Sequence, residues 1–137
     1  MILHVTTHKD WDHARSAGKY TAPSLQNEGF IHCSTVEQVI ETANVFFKGQ
    51  NGLALLCVDE NTLISELKVE DPTGGGERDP AVGELFPHVY GPINLDAIIE
   101  AVDFPSNQDG LFTLPEEVTA ISNNLKGAVY VSTRSAL

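Results

Sequence analysis

Three histidines stand inside short apolar stretches: His4 in MILHVT, His32 in GFIHCS and His88 in LFPHVYGPI. Imidazole is the side chain best suited to proton transfer near neutral pH. Tyr20 and Tyr90 each bring a ring that can stack on a flat ligand and a hydroxyl that can hydrogen-bond to it. Glu70 closes a strand-like segment just before a glycine-rich run, where a carboxylate can act as general base or stabilise developing positive charge. Ser34 adds a hydroxyl two residues after His32. The candidate catalytic residues are therefore His4, His32, Glu70 and His88, with Tyr20, Ser34 and Tyr90 as ligand contacts. Each also has a plainer reading, as a packed or surface histidine, a solvated edge carboxylate, or a helix cap.

Other chemistries find less support. Cys33 beside His32 does not make a nucleophile and base, because neighbouring strand residues point to opposite faces. Ser34 lacks the Gly-x-Ser-x-Gly elbow. No His-Glu-x-x-His spacing is present, so no metal site is expected. The three glycines from Gly74 to Gly76 lack the Gly-Lys-Ser/Thr ending of a phosphate loop and do not open a helix. His8 and His13 fall on a short helix and its approach, where exposure is expected.

The elements that must position these groups follow from periodicity. In GFIHCST, alternation puts Phe30, His32 and Ser34 on one face and Ile31 and Cys33 on the other. Ser34 and Glu37 fit a capping box, and Val36, Val39, Ile40, Ala43 and Phe47 then recur as one helical face. Met1 to Thr6 reads as a strand with Leu3 and Val5 opposed to Ile2, His4 and Thr6. HKDWDHARSAG reads as a short helix ended by Gly18, and Lys19 to Gln26 as a loop broken by Pro23. LALLCV, from Leu53 to Val58, reads as a central strand buried on both faces. Leu63 to Glu70 is a further strand, and Asp71 to Glu84 a flexible, peripheral loop. Phe86, His88 and Tyr90 share a face of a short strand that Pro87 and Pro92 confine to an edge or an end. A strand is expected from Ala97 to Asp103, a short helix from Pro115, and strand propensity in AVYVST, from Ala128 to Thr133.

The chain has 137 residues, enough for one domain with a real core, and carries a formal net charge of −11 with only eight Lys and Arg. A nucleic-acid binder shows a basic patch, and no basic cluster is visible here, so neither nucleic acid nor an anionic membrane is an expected partner. A small-molecule ligand is. No apolar run approaches the roughly 20 residues of a membrane helix, and MILHVTTHKD is unlike a signal peptide; a cytoplasmic protein is expected. Cys33 and Cys57 then read as buried free thiols.

Taken together these stretches resemble the domain of unknown function 952 family. The resemblance rests on Ile2-Leu3-His4, Trp11, Tyr20, the run from Gly29 to Thr35 with Gln38, Phe47, Leu55-Leu56 before Asp59, Lys68-Val69-Glu70, and the run from Phe86 to Pro92. It spans residues 1–105, the family core, and leaves 106–137 as a C-terminal extension packed on or trailing from it. The family has been grouped with the ADP-ribosyltransferase-like superfamily. That grouping implies a single compact α+β domain with a mixed, split sheet, two short helices and a central cleft for NAD. His4 then fits the first-strand position, His32 and Ser34 lie on the second strand, and Tyr20, Glu70, His88 and Tyr90 fill the remaining roles. The implied function is a small NAD- or ADP-ribose-related enzyme. The alternatives are a non-catalytic nucleotide-binding module and a partner-binding domain without a ligand.

Overall fold

A computed structural model describes residues 1–74 and 83–135, with side chains of the last helix described to residue 126. In chain order the elements are β1 (Ile2–Thr7), α1 (His8–Ala17), β2 (Lys19–Tyr20), α2 (Pro23–Glu28), β3 (Ile31–His32), α3 (Val39–Phe46), β4 (Leu53–Val58), β5 (Glu66–Glu70), β6 (Phe86–Tyr90), β7 (Ile93–Asn94), β8 (Ile98–Asp103) and α4 (Glu116–Ser135). The strands form sheets ordered β1-β4-β8, β2-β7 and β3-β6-β5.

The apolar run of β4 explains the layering. All six residues are buried, and alternate side chains feed two different cores. Leu56 and Val58 join Ile2, Ala14, Tyr20, Ile31, Val89 and Ile93. Leu53, Leu55 and Cys57 join Leu3, Val39, Ala43, Phe104, Phe112 and Val118. The expected facing of β1 holds: Ile2 lies in the first core, and Leu3 and Val5 in the second. The C-terminal segment packs on the second core through Phe112 and Val118. The two three-stranded sheets meet at one bridge, where Leu3 N–H donates to the Ser34 carbonyl at 2.7 Å and Ser34 N–H donates to the Leu3 carbonyl at 2.8 Å. This is the split between the sheets.

The α+β class is as expected, but every strand pairing among the described residues is antiparallel rather than mixed, and four helices are present rather than two. Lys19 to Gln26 is not a plain loop. It holds β2 and the start of α2, because Pro23 sits at the first helical position, where its fixed φ and missing N–H are no handicap. Pro87 does not confine β6 to an edge, for β6 is the central strand of its sheet. Its carbonyl accepts from Cys33 N–H at 3.0 Å, and proline has no N–H to return, so the regular β3 pairing stops at His32 and His88. AVYVST lies within α4, where a helix begun at Glu116 overrides a weak strand propensity. Most of the loop expected to be flexible, residues 75–82, lies outside the described residues.

The expected Ser34 cap is also corrected. Helix α3 begins at Val39, and the turn before it is closed by Thr35 and Gln38. Gln38 Oε1 accepts from Thr35 N–H at 3.0 Å, the backward half of a capping box shifted by one residue. Gln38 Nε2 donates to the Leu85 carbonyl at 2.7 Å and to Glu84 at 3.2 Å, tying this turn to the start of β6. Ser34 instead gives its backbone to β1. Gln38→Leu is therefore expected to cost about 1 kcal/mol by removing hydrogen bonds to part-buried partners, whereas Ser34→Ala should stay within about 0.5 kcal/mol. Urea denaturation of the two variants checks this, and equal losses would restore Ser34 as the cap.

Candidate functional site

Two polar arrays face the split between the sheets. The first grows from β1. His4 Nδ1 lies 2.6 Å from the His32 carbonyl oxygen, and a carbonyl only accepts, so Nδ1 carries the proton. Burial drives the His4 pKa down to about 4, so the ring is neutral at pH 7. Its Nε2 is then an acceptor, 2.7 Å from the Tyr20 hydroxyl, and Thr6 Oγ1 lies 2.9 Å from the same phenol oxygen. Tyr20 is 2% exposed, and burial pushes its hydroxyl up to about 12. His4 thus ties β1 to the backbone of β3, with both nitrogens engaged within the protein.

The second array lies on the face of β3-β6-β5 turned away from the first core. Pairing sets His32 opposite His88 and His88 opposite Lys68, so all three share that face. His88 is fully buried, and its Nδ1 donates to Glu70 Oε1 at 2.9 Å. The Tyr90 hydroxyl donates to the same carboxylate oxygen. Burial alone would raise the Glu70 carboxyl, but the hydrogen bonds from Tyr90 and His88, followed by the electrostatic pull of His88 and of Lys68, outweigh it and hold the carboxyl below its usual range. The bond to Glu70, with burial added, pushes Tyr90 up to about 12. Lys68 Nζ sits 4.6 Å from the Tyr90 ring centre. Two buried atoms of this array, His88 Nε2 and Glu70 Oε2, have no hydrogen-bond partner.

Phe30 covers the array. Its ring stacks on His88 with centres 4.1 Å apart, and His32 meets both rings edge-on at 4.8 and 5.1 Å. Phe30 also packs against Gly74, whose φ of 77° and lack of Cβ allow the approach; a methyl group there would overlap the ring. His32 is half-exposed, with Nε2 3.0 Å from Glu28 Oε2 one helical turn earlier.

Between the arrays opens a cleft of about 530 Å³, walled by β1, the His32–Ser34 segment, the start of α2 and one side of α3. His4, Tyr20, His32, Ser34 and His88 line it; Glu70 and Tyr90 stand behind His88 and do not. Most of the surface is apolar. Asp10 is the lone charged carboxylate among the described lining residues, and no Lys or Arg is among them; Arg15 and Lys19, the nearest basic residues in sequence, do not take part. Thr6 and Asp10 carry no motif that marks them as site residues, and Gly74, weighed above only as part of a phosphate loop, serves instead to admit the Phe30 ring. Strand alternation did place Phe30 with His32 and Ser34, but not its stacking on a histidine 58 positions away. Cys33 and Cys57 are buried free thiols, each pushed up to about 12 by burial, which leaves them inert as nucleophiles. Among the described residues no group of three His, Cys, Asp or Glu side chains is placed to hold a metal ion, and no helix is long and apolar enough to cross a membrane.

The chain resembles three solved structures of one protein, CC0527 from Caulobacter crescentus. A crystal structure matches at 31% identity and a TM-score of 0.73, covering 86% of this chain and 97% of that one. A crystal structure of a double mutant matches at 30% identity and a TM-score of 0.72 over the same shares. A solution NMR structure matches at 32% identity and a TM-score of 0.69, covering 85% and 94%. No curated protein matches the chain. Residues 5–101 match a family described as protein of unknown function (DUF952), and that span holds every group lining the cleft except Leu3 and His4. The chain belongs to the DUF952 family.

Proposed function

We propose that the chain binds a small ligand in the cleft between β1 and the β3-β6-β5 sheet. One observation carries this reading: His4, His32 and His88, far apart in sequence, line a single mostly apolar cleft of about 530 Å³. Small-molecule sites are of roughly 300–1,000 Å³, apolar with a few convergent polar groups. The charge of the walls selects the ligand. With Asp10 present and no cation among the described lining residues, a neutral or cationic molecule is favoured over an anion. For NAD this separates the two halves of the molecule. Its nicotinamide and ribose suit the walls, and its diphosphate finds no cation among the described lining residues. The relation to ADP-ribosyltransferase-like proteins is part of this proposal, supported by the resemblance and by the split between the sheets. Its catalytic form assigns proton transfer to His88, backed by Glu70, and conversion of NAD to nicotinamide is the assay that decides it.

Nicotinamide riboside, nicotinamide, NAD and ADP-ribose should be compared by thermal shift, since a ligand at 100 times its Kd adds about 2.7 kcal/mol to the native state. Nicotinamide riboside is expected to raise Tm the most and ADP-ribose the least. Thr42→Trp, which fills the cleft from the α3 side, should abolish the shift. No response to any of the four rejects the nucleoside form of the reading, and a shift that survives Thr42→Trp places binding elsewhere.

A further inference from the structure

From the bare nitrogen of His88 we infer that the cleft selects ligands bearing an O–H or N–H donor, with His88 Nε2 as the acceptor that reads it. The inference rests on the cleft being the binding site. With Nδ1–H committed to Glu70 at 2.9 Å, the ring in its uncharged form carries its lone pair at Nε2. Glu70 also takes the Tyr90 hydroxyl on the same oxygen, so its carboxylate is held as an acceptor, and the ring has no reason to adopt the other tautomer. Glu70 and Tyr90 lie outside the cleft and His88 lines it, and the inference places Nε2, the nitrogen not turned to Glu70, on the cleft side of the ring.

That edge is costly as it stands. His88 is fully buried and Nε2 has no hydrogen-bond partner, and a buried acceptor left unmade forfeits the hydrogen bond it would have in water. Phe30, stacked on one ring face at 4.1 Å, and His32, edge-on at 5.1 Å, keep bulk water away without supplying a donor. His32 has its own partner in Glu28. A molecule seated against His88 would supply the donor that the protein does not. Because the described lining residues carry no Lys or Arg, a ligand whose only polar groups are anionic acceptors meets Asp10 and the His88 lone pair with no cation to offset them. Alcohols, phenols, amides and amines fit.

The test uses two small aromatic probes of similar shape, phenol, which donates, and anisole, which only accepts. Titrations are followed by NMR at about pH 8, above the ordinary titration range of imidazole. Long-range 1H–15N correlation on the free protein should show His88 protonated at Nδ1 and bare at Nε2. Phenol is expected to bind on the order of five-fold tighter than anisole, the ratio one net hydrogen bond supplies, and to move the His88 Nε2 resonance. His88→Phe keeps a ring against Phe30 and should erase the preference while leaving anisole binding in place. Equal affinity for the two probes, with the Nε2 resonance unmoved, overturns the inference and leaves the cleft standing. A free protein with His88 protonated at Nε2 also overturns it. If neither probe binds, the cleft reading falls with it. The first two results are read on the unmutated protein, so they hold even if His88→Phe does not fold.

Discussion

Between pH 6.5 and pH 4 the protein is expected to lose about 3 kcal/mol of stability through His4 alone. His4 is buried and its pKa is lowered by that burial from 6.5 to about 4. Above pH 6.5 the ring is neutral in both the folded and unfolded chain, and nothing is lost. Below it the unfolded chain takes up a proton that the folded chain refuses, so the unfolded state binds more protons and stability falls with pH. The fall levels off near pH 4, where the folded state is protonated too. Glu70 adds to the acid side in the same direction. Its carboxyl is held below the usual range, so its contribution is present above the ordinary glutamate pKa and is lost only as pH falls through the lower folded value. Urea denaturation across this pH range should give a steep profile for the unmutated chain and a flatter one for His4→Gln. Parallel profiles would mean that His4 charges freely in the folded state.

Leu55→Ala should be the most damaging single truncation, at about 2–5 kcal/mol. Leu55 is fully buried on the middle strand of its sheet, paired with Val5 of β1 on one side and Val102 of β8 on the other. It packs in the core that also holds Leu3, Val39 and Phe104. Three antiparallel strands hold the backbone around it, so the site cannot collapse to fill the void, and the residual cavity adds to the lost transfer energy. Ile64→Ala is the control, since Ile64 is 82% exposed and its truncation should fall within about 0.5 kcal/mol. A small loss at Leu55 with an unchanged denaturant slope would show that the core closes over the gap.

Much of this architecture could be read from periodicity. LALLCV announced a strand buried on both faces, and the opposition of Ile2 and His4 to Leu3 and Val5 announced which core each would enter. The face of α3 was legible through Val39 and Ala43 for the same reason. Punctuation was harder. Pro23 starts a helix, and Pro87 sits in a central strand because its missing donor falls where the short neighbour β3 runs out. Both placements depend on which side of the residue is already paired, and that is set by distant parts of the chain. The site was legible only in its residue types. That His32, Ser34 and His88 share a cleft follows from one bridge and one pairing register, while the roles separating His4 from His88 depend on which nitrogen of each ring is already occupied. Spacing along the chain does not encode that.

The pairing of β1 with β4 also governs the order in which the protein can assemble on a ribosome. Ile2–Thr7 is made about fifty residues before its hydrogen-bonding partner Leu53–Val58. At roughly 5–20 residues per second, the first strand waits on the order of seconds for the second. Throughout that interval Leu3 and Val5 have no sheet to enter, and the bridge to Ser34 offers two backbone bonds against the loop entropy of some thirty residues. Native structure is therefore expected to appear late in translation, because even after β4 joins β1 the two cores still wait for Val89, Ile93, Val102, Phe104, Phe112 and Val118.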